Sequence, residues 1–257
     1  MTNKPDAAAP TCGPEGCGID PSAATAPTTA SQRAQGQALK LHIVSDAICP
    51  WCYVAKAHLK AALTQLAREG IWLSVRWMPF ELNPDMPKRG MDRKEYRSRK
   101  FGSWEKSLSL DAAVAAAGKV AGLEFNHDLM RRTPNTFDYH RLVWLAEQEA
   151  VQDAVVEASF RAYFSEGRDI GDANVLADVA ASAGMDRERV RAFLASDDGA
   201  DAVRQEMARS RRAGTRGVPT FVLNGRPLFS GAQPPAVMAA AFRAVAAEVE
   251  GADGGAK

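Results

Sequence analysis

The chain has 257 residues, of which 46% are apolar and 25% are charged, and its formal net charge at pH 7 is +1. This length and apolar content are typical of one large globular domain, or two small ones, with a substantial core. The near-neutral balance gives no reason to expect a nucleic acid or a membrane surface as partner. No apolar run reaches the roughly 18 to 20 residues that a membrane-spanning helix needs.

The N-terminal segment, residues 1–37, is rich in alanine, proline, threonine, glycine and serine and has almost no large apolar side chain. Burial in such a segment cannot offset the entropy lost on ordering, so we expect a disordered tail. The tail carries a CxxxxC pair, Cys12 and Cys17. It has no hydrophobic stretch of the secretory type, from which we expect a cytoplasmic protein whose paired cysteines serve catalysis or metal binding.

Order begins with a strand, a helix and a second strand. The stretch "KLHIVSD" has the composition of a strand and ends at the turn-like Asp46. Apolar residues then recur at helical spacing, with Pro50 in the first turn and Gly70 as a stop. The stretch "IWLSVRWMPF" alternates as a strand does. Together they predict a βαβ unit with a right-handed crossover.

The next 130 residues have a helical character almost throughout. Asp92 and Glu95 resemble a capping box, and the later helical segments begin at polar residues. The last of them contains the arginine-rich "MARSRRAG". Because no aromatic residues are interleaved with these arginines, we interpret them as a solvated helix face that could attract an acidic partner.

After this region, "PTFVLNGRPLFSG" predicts a hairpin in which Asn224 and Gly225 form a type I′ turn. A closing helix follows from Pro235.

These elements predict an α/β fold made of two separated units. A βαβ unit (38–82) and a ββα unit (214–250) form one domain, an inserted all-helical subdomain occupies 83–213, and 251–257 form a flexible C-terminal tail.

The cysteines Cys49 and Cys52 stand three positions apart where the first strand gives way to the first helix. Unpaired N–H groups and the helix dipole stabilise a thiolate at that position. We therefore expect Cys49 to be a partly exposed nucleophile and Cys52, one turn later, to be more buried and to resolve the mixed disulfide. Inert packing and a structural zinc site are the alternatives; zinc needs two more ligands, and the tail pair sits in a segment expected to be disordered.

A second informative stretch is "GTRGVPTFVLNG". A proline can open a strand at its start or at an edge, because it lacks the donor N–H. The surrounding residues would suit a cis Val218–Pro219 bond, although most such bonds are trans.

The stretch "DAICPWCYVA", followed far downstream by "GVPTFV", resembles the thioredoxin fold with a helical insertion, as in the DsbA family. More narrowly, "RWMPFELNPDMP", "NTFDYHRLVWLA", "FRAYFSEGRDIGD" and "FSGAQP" resemble the FrnE-like branch of DsbA-family oxidoreductases. The similarity runs from about Leu39 to Val249.

The resemblance implies a thiol–disulfide oxidoreductase without a metal or an organic cofactor. Cys49 matches the nucleophile, Cys52 the resolving cysteine and Pro219 the cis-proline, with the peptide groups around Val218 facing the substrate. Its partners would be protein or small-molecule thiols and disulfides, with glutathione or a thioredoxin-type reductant as candidates.

Several neighbours of these motifs are further candidates. Trp51 should face solvent and be able to stack on a substrate, and Pro50 should tune reactivity. His140 is expected at the border of the active-site groove, on a helix of the insertion, and Asp46 could influence the thiolate or accept a proton. Three residues near His140 share its expected place: Asn135, Phe137 and Arg141.

Other functions stay open on the sequence. The architecture also resembles 2-hydroxychromene-2-carboxylate isomerases and kappa-class glutathione transferases, which act with glutathione at a serine-type site; the retained Cys49 and Cys52 favour disulfide exchange instead. A chaperone-like binding module is a third possibility. The tail pair, Cys12 and Cys17, could also relay disulfides to Cys49, since about 20 flexible residues reach roughly 25 Å.

Overall fold

The structure is a computed structural model and describes residues 38–254. The tail predicted at 1–37, the pair Cys12 and Cys17 within it, and the last three residues lie outside the described residues.

The predicted βαβ unit is present. It consists of β1 (Leu39–Ser45), α1 (Pro50–Arg68) and β2 (Leu73–Pro79), and the two strands pair in parallel along their whole length. Pro50 occupies the first helical position, where its missing N–H costs nothing. The chain leaves the helix through Gly70, whose φ of 79° suits glycine.

The insertion is helical apart from one short ladder. In chain order its elements are β3 (Met91–Asp92), α2 (Arg93–Phe101), α3 (Trp104–Val120), a 3₁₀ turn (His127–Leu129), β4 (Arg132–Thr133), α4 (Phe137–Gln148), α5 (Gln152–Phe160), a π-helical turn (Arg161–Ser165), α6 (Ala173–Ser182), α7 (Arg187–Ala195) and α8 (Ala200–Arg212). The strands β3 and β4 pair antiparallel, where an all-helical insertion was expected. Two residues are too few to show the alternation by which a strand is recognised in a sequence. The Asp92 side chain accepts a hydrogen bond from the Glu95 N–H at 2.9 Å, so α2 begins as the sequence predicts.

The chain then returns to the sheet through β5 (Thr220–Leu223) and β6 (Arg226–Ser230). Asn224 and Gly225 have φ values of 49° and 81°, which confirms the predicted turn with two positive φ angles. The closing helix α9 (Pro235–Gly254) extends four residues beyond the predicted end of the ordered chain. Extending a formed helix adds one hydrogen bond per residue, so the helix does not stop at the last apolar position.

The four long strands form one sheet in the order β2-β1-β5-β6. The outer edge of β2 is partly closed by Gln152 of α5: Trp77 N–H donates to Gln152 Oε1 at 2.8 Å, and Gln152 Nε2 donates to Trp77 O at 3.1 Å. Arg76 of β2 forms ion pairs with Glu147 of α4 at 2.5 Å and with Glu206 of α8 at 2.6 Å. Side chains of the insertion thus satisfy an edge strand that would otherwise expose its backbone.

Buried apolar residues from both parts of the chain form one continuous core. It includes Leu41 and Ile43 of β1, Leu142 of α4, Phe160 of α5 and Phe221 of β5, all fully buried. The insertion therefore packs onto the sheet through the same core that holds the sheet together. Among the helices in the described range, none is long and apolar enough to cross a membrane.

Candidate active site

The two cysteines lie at the start of α1. Cys49 is the residue that precedes the helix and has an extended backbone, with φ −87° and ψ 109°. Its carbonyl accepts a hydrogen bond from the Cys52 N–H at 3.0 Å, and both thiols are free. No acidic side chain lies in the first turn. The positive end of the helix dipole therefore acts on the Cys49 sulfur without competition from a carboxylate in that turn.

The two thiols have different environments. Cys52 is fully buried, whereas 5% of Cys49 is exposed. Burial, followed by the hydrogen bond and charge of Cys49, raises the pKa of Cys52 well above its usual value, against weaker opposing effects of Ser45 and the Asp46 backbone. Cys52 therefore keeps its proton where an ordinary thiol would lose it, and Cys49 is the sulfur placed to attack.

The Cys49 sulfur lies against the loop that leads into β5. Its S–H donates to the Val218 carbonyl at 3.5 Å, and the Val218–Pro219 peptide bond is cis. The loop is held in turn by a hydrogen bond from Gly231 N–H to Pro219 O at 2.8 Å. This cover, supplied by residues 169 positions away, is why Cys49 is less exposed than the sequence predicts.

Cys49 also lines a cavity of about 330 Å³ between the sheet domain and the insertion. Pro50 and Trp51 line the same cavity, and Trp51 is 41% exposed, as expected of a residue that could stack on a substrate. Val218 and Pro219 are not among its lining residues. Cys49 thus contacts the cis-peptide loop and also lines the cavity.

The far walls of the cavity come from the insertion. The π-helical turn contributes Tyr163 and Phe164, and α3 contributes Leu110 and Val114. The ring of Phe164 lies 5.8 Å from that of Tyr53, which directly follows Cys52, and the two rings are nearly parallel. The aromatic contact fixes the start of α1 relative to the insertion.

Asp46 is buried beneath this site. Its Oδ2 accepts a hydrogen bond from the Leu82 N–H at 2.8 Å, while Oδ1 has no hydrogen-bond partner among the described residues. His140 Nε2 lies 3.5 Å from that Oδ1 and 3.1 Å from the Phe80 carbonyl. A carbonyl oxygen only accepts hydrogen bonds, so Nε2 carries a proton.

His140 was expected to border the active-site groove, but it is only 2% exposed and does not line the cavity. Helix α4 turns this side chain inward, onto Phe80 and Asp46. His140 therefore contacts the buried carboxylate rather than a bound substrate.

The neighbours of His140 are structural. Asn135 Nδ2 donates to Met86 O at 2.7 Å, which ties two loops together. Arg141 is 3% exposed, and its guanidinium donates to four backbone carbonyls. Two of them lie in the last turn of α7 and two directly follow it: Phe193, Leu194, Ser196 and Asp198. Phe137 lies under the guanidinium of Arg204. These residues do not line the cavity beside Cys49.

The charged wall of the cavity was not predicted from the sequence. Arg93, Arg97 and Lys100 of α2 line it, with Asp111 of α3 and His127 opposite. The signal was present, since positions i, i+4 and i+7 place the three cations on one helix face. Within residues 38–254, no group of three His, Cys, Asp or Glu side chains is arranged to hold a metal ion.

Comparisons with known proteins agree with this architecture. A family model of the DSBA-like thioredoxin domain matches residues 40–243. The crystal structure of a probable DsbA oxidoreductase from Streptomyces coelicolor is 34% identical, with a TM-score of 0.72, and the match covers 79% of this chain and 88% of that chain.

Two further relatives are similar over most of the chain. Cytosolic disulfide reductase DsbM from Pseudomonas aeruginosa is 26% identical with a TM-score of 0.54, covering 74% of this chain and 87% of that chain; the reductase has also been solved with GSH. The uncharacterized protein YwbO of Bacillus subtilis (strain 168) is 28% identical over 184 residues, which are 71% of this chain and 86% of that protein. The thioredoxin-like fold predicted from the sequence is confirmed.

Proposed function

Because the chain belongs to the family of DsbA-like thioredoxin domains, we propose that it is a thiol–disulfide oxidoreductase whose redox couple is Cys49 and Cys52. The observation that carries the proposal is the asymmetry of the two thiols. One sulfur lies at a helix N-terminus and lines a cavity, while the other is fully buried one turn later with a raised pKa. This is the division of labour that a nucleophile and a resolving thiol require.

The exchange proceeds in two balanced steps when the substrate is a disulfide. The Cys49 thiolate attacks one substrate sulfur, a bond forms between the two sulfurs, and the substrate S–S bond breaks to release a thiolate. Cys52 then loses its proton and attacks Cys49 Sγ, forming the Cys49–Cys52 disulfide and releasing the second substrate thiolate. One substrate disulfide is reduced to two thiols and one protein dithiol is oxidised.

The second step requires an acceptor for the Cys52 proton, and we assign this role to Asp46. Its Oδ1 is buried and has no hydrogen-bond partner in the described part of the chain. The Asp46 backbone is among the groups that act on the pKa of Cys52, so this residue is a neighbour of the buried thiol. A carboxylate near a buried thiol can act as its general base.

We further propose that the chain acts in the cytosol with glutathione as a co-substrate. The likeness to DsbM, a cytosolic disulfide reductase solved with GSH, supports both points. A reducing thiol pool would return the oxidised pair to the dithiol after each cycle.

Trapping the mixed disulfide tests the proposal. In a Cys12→Ser/Cys17→Ser background, the Cys52→Ser variant treated with oxidised glutathione should accumulate one glutathione per chain on Cys49, because the resolving thiol is gone. The matched Cys49→Ser variant should accumulate little, since Cys52 is buried and keeps its proton. Intact mass and peptide mapping read out both. Equal labelling of the two variants would contradict the assigned roles.

The other functions predict different results for the same variants. Glutathione-dependent isomerisation or transfer that survives Cys52→Ser would support the isomerase-type alternative. Suppression of aggregation that survives loss of both cysteines would support a chaperone-like binding module.

A further inference from the structure

The charged wall of the cavity indicates a substrate class. We propose that the cavity beside Cys49 binds the carboxylate of a small organic disulfide or thiol with an apolar body, and that such molecules, rather than folded proteins, are the substrates. This inference rests on the proposed function and specifies its substrate.

The wall carries more positive than negative charge. Asp111 uses one carboxylate oxygen for Arg93 and the other for Arg97, each at 2.7 Å, so one carboxylate serves two guanidinium groups. Lys100 Nζ, on the same helix, bonds to the neutral Asn83 Oδ1 at 3.0 Å and to the Tyr96 hydroxyl at 2.6 Å. Three cations therefore face a single carboxylate, and an anionic ligand would balance part of the excess.

The titration behaviour of the wall agrees with this count. Burial, and then the charge of Arg93, lower the pKa of Arg97 although Asp111 acts in the opposite direction. Burial also lowers the pKa of His127, with Asp111 opposing and both arginines adding to the effect. Burial is the largest cause of both shifts, and the neighbouring guanidinium groups add to it.

Arg93 has donors left for a ligand. It is 4% exposed, yet the only hydrogen bond of its side chain among the described residues runs from Nη2 to Asp111. Its Nε and Nη1 have no partner there, and its guanidinium lies over the Trp104 ring at 5.7 Å. Neither nitrogen is among the fully buried polar atoms without a partner, so both keep some accessible surface. A carboxylate in the cavity would accept a charge-assisted hydrogen bond from one of them.

The rest of the cavity fits a small apolar body. Its other walls are largely apolar, with Leu110, Val114, Met130 and Phe164 among them. Its volume of about 330 Å³ lies at the lower end of the range of roughly 300 to 1,000 Å³ that is typical of small-molecule sites. The space admits a small ligand but not a folded chain, and the sulfur of such a ligand would approach Cys49, which lines the same space.

Two aromatic disulfide probes separate anion binding from thiol reactivity. The reduced protein, in a Cys12→Ser/Cys17→Ser background, is mixed in stopped flow with 5,5′-dithiobis(2-nitrobenzoate), which carries carboxylates, or with 4,4′-dithiodipyridine, which is uncharged at pH 7.5. The quantity compared is the second-order rate constant for 5,5′-dithiobis(2-nitrobenzoate) divided by that for 4,4′-dithiodipyridine. A change in Cys49 nucleophilicity acts on both rates and leaves the ratio nearly constant.

We expect Arg97→Gln to lower this ratio by about tenfold. The substitution removes a positive charge that attracts the carboxylate-bearing probe and leaves the reaction of the uncharged probe nearly unchanged. The control is Arg99→Gln on the same helix, whose side chain is 69% exposed and pairs with Glu95 outside the cavity; it should leave the ratio unchanged. Lys100→Gln, which changes a less buried side chain, should lower the ratio in the same direction and keeps the test valid if Arg97→Gln does not fold.

The outcomes separate the two proposals. If the ratio is unchanged in both cavity variants, or falls equally in Arg99→Gln, the carboxylate site is refuted while disulfide exchange stands. If wild-type Cys49 reacts with neither probe, the proposed function itself fails.

Discussion

Phe160 joins the insertion to the helix that carries the active-site pair, and replacing it with alanine should be costly. The ring is fully buried. It stacks on Tyr53 with centroids 5.3 Å apart and planes at 22°, and it meets Trp77 edge-on at 6.4 Å. A buried Phe→Ala change typically costs about 3 to 5 kcal/mol. That range already includes the loss of aromatic contacts such as these, so we expect a loss of about 4 kcal/mol.

Urea unfolding of the reduced protein measures this loss directly. We expect Phe160→Ala to lower the transition midpoint while the slope stays the same, since a single core holds both parts. The control is Leu108→Ala, at a position 43% exposed on α3, which should change the free energy of unfolding by no more than about 0.5 kcal/mol. A loss below about 1 kcal/mol, or a separate early transition of the insertion, would refute the shared core.

Two further predictions concern the thiols. At pH 7.5 and in a Cys12→Ser/Cys17→Ser background, iodoacetamide should modify Cys52→Ser, which retains Cys49, at least about tenfold faster than Cys49→Ser, because the raised pKa of Cys52 lowers its thiolate fraction. Comparable rates would contradict the assigned asymmetry. The raised pKa of Cys52 also means that the folded protein holds this proton more tightly than the unfolded chain. The protonated Cys52 thiol therefore makes its full contribution to stability below about pH 8.5. This contribution is lost as the pH rises from there towards the pKa of Cys52 in the folded protein. Between pH 7.5 and 10, the free energy of unfolding in urea should decline more steeply for the reduced wild type than for Cys52→Ser. Tyrosines such as Tyr139 lower stability in both proteins alike. Parallel curves for the two proteins would contradict the raised pKa of Cys52.

Local patterns in the sequence predict the elements of the sheet domain well. Helical spacing and Pro50 predict the start of α1, alternation predicts β2, and Asn224–Gly225 predicts the hairpin turn. Each of these features depends on residues close together in the chain, so the sequence alone carries the signal. The division of the chain into a sheet domain and an inserted subdomain stays a prediction, because buried residues of both parts belong to one continuous core.

Features that depend on distant residues were harder to foresee. Cys49 is covered by Val218, and His140 points into the core rather than to the groove, because in each case tertiary packing decides exposure. Nothing local in the sequence indicates that Arg93 and Arg97 line a cavity. Only the packing of α3 onto α2 buries them and turns their helix face into a cavity wall.

The most direct test of the redox proposal is the equilibrium of the Cys49/Cys52 couple in glutathione buffers. It is best measured by thiol trapping and mass spectrometry in a Cys12→Ser/Cys17→Ser background, beside the wild type. We expect both thiols to disappear together in one reversible two-electron transition, at a potential between about −270 mV and about −120 mV, the range spanned by reductants and oxidants of the thioredoxin fold. If the tail substitutions leave both the potential and the turnover unchanged, a relay through Cys12 and Cys17 is excluded. If Cys49 and Cys52 stay as free thiols across the whole range of buffers, disulfide exchange is not what this pair does.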